Sequence, residues 1–463
     1  MELSANFEEL ESSYEEISAL EEELREKYNE LSESEKNLEY LAYHDFLTDL
    51  PNRQYLYERI QSDLNKEELE GALLFLDLDN FKYINDTLGH DFGDKLIQAV
   101  GERLKGLRDI NTYLVRIGGD EFIIVVRNLS SMEQLESFAK NLLYIFNDPF
   151  EISGNSIKIT SSIGIAKYPE HGASVDELLK KADIAMYYSK RYRKNRYTIF
   201  KEDMNKELID RMAIEKNLRN ALDGNEFLLY YQPQVDTNTE VVTSFEALIR
   251  WNNPELGFVS PADFISIAEE SEMIVDIGNW VMKSACDFAR DIIDNGSDNV
   301  YISVNVSVLQ FLQTDFVDNV LNILKQSDLP AEFLELEITE TIYMENYEMI
   351  HNKLTELRSK GVKIALDDFG KGYSSLSYLR RLPIDTLKLD KSFIDDICID
   401  TEASLVENII KMGQKMELSI IAEGVETQEQ YLHLRNFGCD KIQGYYFSRP
   451  LTEENAKKLL VEK

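Results

Sequence analysis

The chain has 463 residues, 43% of them hydrophobic and 29% charged, which is typical of a globular protein with two or three domains. Its formal net charge of −36 argues against a nucleic-acid partner, because the phosphates of a duplex would be repelled. A small phosphate-bearing molecule stays compatible with this charge if a divalent metal mediates the contact. No apolar run is long enough to span a bilayer, and no signal-peptide pattern opens the chain.

The chain offers few soft metal ligands. Its three cysteines are widely spaced and lack the spacing of metal ligands: Cys286, Cys398 and Cys439. This pattern predicts that the cysteines are reduced thiols in a cytoplasmic protein. Four of the five histidines are interpreted as surface or structural residues: His44, His90, His351 and His433.

Residues 1–42 are rich in glutamate and contain neither proline nor glycine. One heptad register carries five successive aliphatic residues: Leu10, Ile17, Leu24, Leu31 and Leu38. This pattern predicts a coiled coil that forms a homodimer; the alternative is a single amphipathic helix on a neighbouring domain. Glu21 and Glu35 fall at the other core position and would weaken the seam. We therefore interpret the segment as an adjustable coil that transmits a signal from an upstream sensor domain or a separate partner.

Residues 43–200 alternate apolar strands with amphipathic helices, which predicts an α/β domain. Pro51 ends the preceding helix, and Asn52 can cap the next one. The apolar run GALLFLDLD reads as a buried central strand, and its carboxyl end presents Asp77 and Asp79.

A second apolar stretch, LVRIGGDEFIIVV (114–126), predicts a β-hairpin, because two apolar strands flank paired glycines. Gly118 and Gly119 permit a tight turn and the close approach of another molecule. Asp120 and Glu121 lie at the tip of this hairpin. Two adjacent carboxylates there are either solvated or neutralised by a metal ion together with a phosphate.

Three ordered motifs in this domain, DFLTDLPNR, DLDNFKYINDTLGHDFGD and RIGGDEF, resemble the GGDEF diguanylate cyclase family. The resemblance implies a palm-like fold similar to nucleotide cyclases, and the condensation of two GTP molecules into cyclic di-GMP by a dimer. It also implies two Mg²⁺ or Mn²⁺ ions, held by Asp77, Asp120 and the carbonyl of Leu78. Further residues would contact the nucleotide: Glu121 beside the reacting hydroxyl, Asn85 and Asp94 at the guanine edge, and Lys82 and Lys190 at the phosphates.

Two motifs depart from the family pattern. Where the family carries a Lys-x-x-Gly-Arg-Asn run, residues 190–195 have Lys194 in place of the arginine. A bidentate grip on phosphate is lost, although the positive charge is kept. Asp109 and Thr112 replace the Arg-x-x-Asp pair of the product-inhibition site, so inhibition through that site is not expected.

Residues 201–222 are charged and helix-forming, and we interpret them as a helical linker. From 223 to 463, eight short apolar runs alternate with helical patterns, which predicts a TIM-like (β/α)8 barrel. The first two runs lie too close together for an intervening helix, so this pair is predicted to be antiparallel.

Nearly every predicted barrel strand ends in a polar residue, and in a barrel these ends share one face. A single such residue is usually a solvated strand end, but seven strands share the feature: Glu246, Asn305, Glu337, Asp367 with Asp368, Lys388, Glu423 and Gln443. Oxygen ligands without histidine or cysteine indicate Mg²⁺ or Mn²⁺. Acids beside a lysine suit two-metal hydrolysis of a phosphodiester.

Seven barrel motifs, from EALIR to QGY, resemble the EAL family of cyclic di-GMP phosphodiesterases, whose product is the linear dinucleotide pGpG. The resemblance assigns the first metal to Glu246, Asn305, Glu337 and Asp367, and the second to Asp367 and Asp368. It implies that Lys388 orients the attacking water and that Glu423 is the general base. The remaining implied roles are substrate contact by Gln232 and Arg250, placement of a metal or its water by Gln443, and support of the DDFGKGYSSL loop by Glu340.

Three interpretations remain open at this point. The first is a bifunctional enzyme with a working phosphodiesterase and a cyclase that is competent as a dimer. The second is a phosphodiesterase whose GGDEF domain only binds GTP and regulates. The third is a catalytically silent receptor for cyclic di-GMP. The complete set of acids favours the first, with Lys194 as the reservation.

Overall fold

The computed structural model describes residues 2–64, 70–107, 111–129, 131–297, 299–340, 342, 347–370 and 379–461. The chain divides into two compact units, Met1–Ile209 and Asp210–Lys463. The division falls inside the helix Glu202–Leu218, within the stretch predicted to be a helical linker.

The chain begins with one long helix, Glu2–Tyr43. Where the structure describes side chains of the predicted seam, they are exposed in the single chain, with 71% of Leu24, 60% of Leu31 and 64% of Leu38 accessible to solvent. These exposed apolar side chains could be buried in a coiled coil with a second helix. The coiled coil itself stays a prediction. Within the described part of the chain, no helix combines the length and the apolar character needed to cross a membrane.

The strands described in the first unit are β1 (Gly71–Leu78), β2 (Thr112–Gly118), β3 (Glu121–Arg127), β4 (Phe150–Ile152), β5 (Asn155–Ile157), β6 (Ser161–Tyr168) and β7 (Tyr197–Ile199). Five of them form a sheet in the order β2-β3-β1-β6-β7, and β4 pairs with β5 in a separate hairpin that the sequence analysis missed. Every residue of β1 is buried, as predicted for the central strand. Because β1 runs antiparallel to β3, Asp77 at its carboxyl end lies opposite Glu121.

Helices cover the sheet and enclose two apolar clusters, one on each face. The predicted cap at Asn52 is present, and its side chain accepts a hydrogen bond from the amide of Tyr55. The helix that follows contains one π turn at Leu56–Ile60. The described helical segments after the first are Arg53–Tyr55, Leu56–Ile60, Gln61–Leu64, Phe81–Leu88, His90–Lys105, Met132–Tyr144 and Val175–Tyr192.

The second unit is a closed barrel, as predicted. Its eight strands are β8 (Phe227–Asp236), β9 (Val242–Asn253), β11 (Tyr301–Asn305), β12 (Leu334–Thr339), β13 (Lys363–Phe369), β14 (Thr386–Leu389), β15 (Ser419–Ala422) and β16 (Lys441–Ile442), while β10 (Gly257–Val259) and β17 (Leu451–Thr452) add short edges. The barrel closes through β8, which is antiparallel to both β9 and β16, whereas the other neighbours are parallel. The predicted antiparallel first pair is therefore confirmed.

Helices surround the barrel and pack on one large apolar core. The parallel strands put their carboxyl ends on one face, and this is where the polar residues of the predicted site converge. The described helices of this unit are Pro261–Glu270, Ile274–Asp294, Val308–Leu312, Phe316–Gln326, the 3-10 turn Ala331–Phe333, Tyr347–Ser359, Lys391–Asp395, Asp400–Lys415, Gln428–Phe437 and Glu453–Val461.

Candidate active site

The centre of the barrel mouth is a fully buried lysine. The Nζ atom of Lys388 lies 2.7 Å from a carboxylate oxygen of Glu337 and 2.7 Å from one of Glu423. Asp367 is 3.4 Å away and Glu246 is 3.7 Å away. Four of these side chains lie on four different strands and Glu423 directly follows a fifth, so only barrel closure brings them together.

Amide side chains hold Glu246 in place. Asn305 Nδ2 donates to one carboxylate oxygen at 2.6 Å, and Gln443 Nε2 donates to the other at 2.5 Å. The amide of Gln443 also lies 3.2 Å from the side-chain oxygen of Gln232. Gln234 adds a buried link that the sequence analysis missed, because its Nε2 donates to Gln443 Oε1 at 2.9 Å. The signal was available, since residues 232 and 234 point to the same side of strand β8.

The charges at this site are unbalanced, with one ammonium facing four carboxylates. Burial raises the pKa of Glu337 well above its usual range, and the neighbouring Glu246 adds to the effect. Burial also raises the pKa of Glu423 to about 8, against the opposing charge of Lys388. Glu337 Oε1 is buried and accepts no hydrogen bond from the described residues. Surplus buried carboxylates with an unused acceptor are the environment that a divalent cation would stabilise, so these residues fit Mg²⁺ or Mn²⁺.

The pair Asp367–Asp368 lies where strand β13 becomes irregular. The strand register shifts between Leu366 and Phe369, and Asp368 has a positive φ of 54°. Such a backbone is strained for a residue other than glycine, and strain of this kind is often concentrated at functional sites. The turn places the Asp368 amide 2.8 Å from the carboxylate of Asp367.

Glu340 contacts the start of the predicted loop, because its carboxylate accepts a hydrogen bond of 2.9 Å from the Gly370 amide. The rest of the DDFGKGYSSL loop from residue 371 lies outside the described residues. Arg250 is half-buried beside the ring of Tyr230, with its guanidinium carbon 5.5 Å from the ring centre. It lies on strand β9, four residues after Glu246, on the same side of the strand.

The first unit brings a smaller set of predicted residues together at the carboxyl end of β1. Lys190 Nζ lies 2.7 Å from Asp77 Oδ1, and Glu121 is opposite Asp77 in the sheet. Burial raises the pKa of Asp77 to about 6, with Lys190 opposing and Asp120 adding to the rise. Burial and the neighbouring Asp120 also raise the pKa of Glu121. As in the barrel, clustered acids are short of positive charge.

The predicted guanine-reading residues lie on two successive helices. Asn85 is half-buried, its side-chain oxygen accepts no hydrogen bond within the described structure, and a Cβ on Gly93 would lie 1.9 Å from that oxygen. A larger residue at position 93 would therefore displace the side chain of Asn85. Asp94 and Lys82 are exposed, and the structure gives neither of them a contact with Asp77. The second acid of the strand end, Asp79, is occupied by hydrogen bonds from Thr160 and Ser162, which makes it a structural residue.

Arg116 holds the hairpin turn, a role that the sequence analysis missed. Its guanidinium donates twice to the carbonyl oxygen of Gly119, at 2.9 and 3.2 Å, and once to Asp45 at 2.6 Å. Gly119 itself has a φ of 51°, which favours glycine. Asp45 lies two residues after the end of the first long helix, so a largely buried ion pair joins the end of that helix to the GGDEF turn. The partner of Arg116 could not be identified from sequence, because 71 residues separate the pair.

Replacing Arg116 by methionine is expected to lower the free energy of unfolding of the first unit by about 3 kcal/mol, since removing one partner leaves a buried charge. Hydrogen bonds from Thr48 and Arg116 outweigh burial and lower the pKa of Asp45. This stabilisation is therefore complete above the unfolded pKa of about 3.9 and is lost as the pH falls through the folded-state pKa. The difference in unfolding free energy is measured by urea unfolding, with hydrogen exchange of the β2 and β3 amides as the readout. The exposed Lys140→Met is the control, and an equal effect of both variants would contradict the prediction.

The comparison with family models agrees with this arrangement. Residues 42–196 match the model described as "Diguanylate cyclase, GGDEF domain", and residues 215–450 match the EAL domain. The fold and the two sites thus define a palm-like nucleotide-cyclase-type domain joined to a TIM-like barrel. The chain belongs to the family of tandem GGDEF–EAL proteins.

Three similar proteins illustrate the family. The bifunctional diguanylate cyclase/cyclic di-GMP phosphodiesterase MucR of Pseudomonas aeruginosa is 38% identical over 91% of this chain and 62% of its own length. The cyclic di-GMP phosphodiesterase PdeR of Escherichia coli is 35% identical over 90% of this chain and 63% of its own length. The structure of the PaMucR phosphodiesterase in complex with c-di-GMP is 39% identical, covers 53% of this chain and 99% of its own, and has a TM-score of 0.51. The chain thus spans less than two thirds of the length of both curated relatives.

Proposed function

We propose that the barrel hydrolyses cyclic di-GMP to pGpG with two Mg²⁺ or Mn²⁺ ions. The observation that carries this proposal is the buried Lys388 among four carboxylates, one of which has an oxygen without a hydrogen-bond partner in the described part of the chain. The ligand sets would be Glu246, Asn305, Glu337 and Asp367 for one ion, and Asp367 and Asp368 for the other. Bound ions would supply Lewis acidity for attack at phosphorus.

The chain's own residues divide the remaining work. Burial favours the protonated form of Glu423 and opposes the charge on Lys388. The 2.7 Å contact between the two side chains instead favours the ionised pair. Ionised Glu423 can then accept a proton from water. Lys388 would orient that water and stabilise developing negative charge. Arg250 would bind a phosphate through a charge-assisted hydrogen bond. Gln232 and Gln443 would set the position of substrate and metal through their shared amide network.

Removing divalent metal is expected to abolish hydrolysis. The full chain is incubated with cyclic di-GMP after treatment with EDTA, then again after addition of Mg²⁺ or Mn²⁺, and pGpG is measured by chromatography. Product should form only after metal is restored, because the surplus carboxylates then bind cations and no longer repel one another. Product formed at the same rate in EDTA would contradict the two-metal proposal, and no pGpG in any tube would refute the phosphodiesterase.

We further propose that the GGDEF domain condenses two GTP molecules into cyclic di-GMP when two chains meet. The supporting observation is that Asp77, Glu121 and Lys190 adjoin at one strand end. A palm domain holds one GTP, so the reaction needs a second copy of the domain. The exposed leucines of the first helix would provide that contact as a coiled coil. A GGDEF domain that only binds GTP and regulates is the alternative, as is a silent cyclic di-GMP receptor. A cytoplasmic location suits both nucleotides.

Disrupting the predicted coiled coil is expected to lower dimerisation and synthesis together. Leu24→Asp with Leu31→Asp places charge in the predicted seam, so dimerisation and GTP condensation should both fall at least about tenfold. Both are measured in a Glu246→Ala background, by ultracentrifugation and by release of cyclic di-GMP. The exposed pair Glu22→Gln with Glu30→Gln serves as the control. No cyclic di-GMP in the Glu246→Ala parent would reduce the domain to a GTP sensor, and unchanged dimerisation in the leucine variant would refute the coil.

A further inference from the structure

A second group of metal-binding side chains lies in the barrel unit, outside the site described above. It consists of Cys398, Glu429 and His433, and one ligand atom of each lies within 4.8 Å of the other two. Cys398 and Glu429 are exposed and His433 is half-buried, so an ion can reach the group from solvent. The other two cysteines are buried and have no comparable neighbours among the described residues.

The backbone that carries these side chains is held in place. Glu429 and His433 are four residues apart on the helix Gln428–Phe437 and therefore share one face. A capping box between Thr427 and Gln430 fixes the start of that helix. The same Gln430 donates through Nε2 to the carbonyl oxygen of Ile394 at 3.1 Å, which ties the helix to the segment that leads to Cys398. The helix that carries Glu429 and His433 is thus held near the segment that leads to Cys398 by contacts that do not involve a metal.

The chemistry of the three donors differs from that of the barrel mouth. Thiolate and imidazole are ligands for Zn²⁺ and similar transition metals, whereas Mg²⁺ takes oxygen. Zinc bonds of about 2.0–2.3 Å place neighbouring tetrahedral ligands about 3.3–3.7 Å apart, so the ligand atoms need to approach one another by at most about 1.5 Å. Side chains that are largely exposed can do this by rotation. Burial and the nearby Glu429 raise the pKa of the Cys398 thiol, so binding would release a proton and strengthen as the pH rises.

We propose that Cys398, Glu429 and His433 form a Zn²⁺ site with three protein ligands and an open fourth position. The ion would connect the segments that follow strands β14 and β15, which present Lys388 and Glu423. The site stands on its own geometry and does not depend on the function proposed for the barrel mouth. Sequence spacing did not reveal it, because 31 residues separate Cys398 from Glu429.

Cobalt(II) titration of the metal-free full chain tests the site, with excess Mg²⁺ present to occupy oxygen-ligand sites. One equivalent of cobalt(II) should bind and produce thiolate-to-cobalt charge-transfer absorption, which oxygen ligands cannot produce. Zn²⁺ should displace the bound cobalt. Cys398→Ser should abolish the absorption, and His433→Ala should weaken binding at least tenfold. Cys439→Ser, which removes a buried thiol, is the matched control and should leave the spectrum unchanged. Absence of the band, or its survival in Cys398→Ser, would overturn the proposal.

Alkylation of the unmodified protein gives a second test that needs no variant. Iodoacetamide should label Cys398 in the metal-free chain, and Zn²⁺ should slow that labelling at least tenfold, as measured by peptide mass spectrometry. Removing Zn²⁺ with a chelator should restore the original rate. Equal labelling with and without Zn²⁺ would show that the thiol does not bind the ion.

Discussion

Replacing Glu337 by glutamine is expected to abolish hydrolysis while making the metal-free protein more stable. Glu337 is 1% exposed and its carboxylate lies 2.7 Å from Lys388 Nζ. One carboxylate oxygen of Glu337 has no hydrogen-bond partner among the described residues. Glutamine keeps the shape but removes a proposed metal ligand. Loss of a residue that merely supports a ligand costs about 10–100-fold, so loss of the ligand should cost at least about a hundredfold in kcat/KM.

The stability gain follows from the raised pKa of Glu337, whose causes are burial and then Glu246. A carboxyl whose folded pKa exceeds its unfolded value of about 4.3 reduces stability as the pH rises from that value towards the folded pKa. Glutamine does not ionise, so the variant does not lose stability in this way as the pH rises. In EDTA at pH 7, the unfolding free energy of the Glu337→Gln variant should therefore be higher than that of the unmodified protein. Urea unfolding measures it.

Glu335→Gln is the matched control, two residues earlier on the same strand. Glu335 is also fully buried, but its oxygens accept hydrogen bonds from Ser303 at 2.9 Å and Thr386 at 2.6 Å. Removing a carboxylate that is already paired should lower stability and leave the Mg²⁺-induced gain in stability intact. A Glu337→Gln variant that lost stability in EDTA, or that still hydrolysed cyclic di-GMP normally, would contradict the proposed role.

Replacing Lys388 by methionine is expected to have the opposite effect on stability. Burial would lower the pKa of Lys388, but the four surrounding carboxylates raise it well above its usual range. Without the ammonium, those carboxylates repel one another, so the metal-free protein should lose about 3–5 kcal/mol of stability. Hydrolysis should fall about 10²–10⁴-fold, the range for loss of a group that assists proton transfer.

Divalent metal should partly rescue the stability of Lys388→Met but not its activity. Two cations can replace the missing positive charge, so Mg²⁺ should raise the melting temperature more in the variant than in the unmodified protein. Lys411→Met is the control, because Lys411 is 56% exposed and, among the described residues, forms an ion pair only with Glu407 on its own helix. If Mg²⁺ did not change the melting temperature of the variant, metal binding beside Lys388 would be contradicted.

Several features of this protein could be predicted from the sequence by itself. Local apolar runs predicted the central strand β1, the GGDEF hairpin and all eight barrel strands, because burial of both faces requires uninterrupted apolar residues. The short spacing of the first two barrel strands predicted their antiparallel pairing. Glu246, Glu337 and Lys388 were predicted to converge, since strand ends share one face in a barrel.

Tertiary structure alone decided how these residues are charged and held. The imbalance of four carboxylates around Lys388 depends on distances between strands that are far apart in sequence. The Arg116–Asp45 pair and the group around Cys398 are likewise invisible to periodicity, because that signal describes only neighbours along one element. Sequence patterns report which face of an element is apolar, whereas pairing of polar groups is set by which elements the fold brings together.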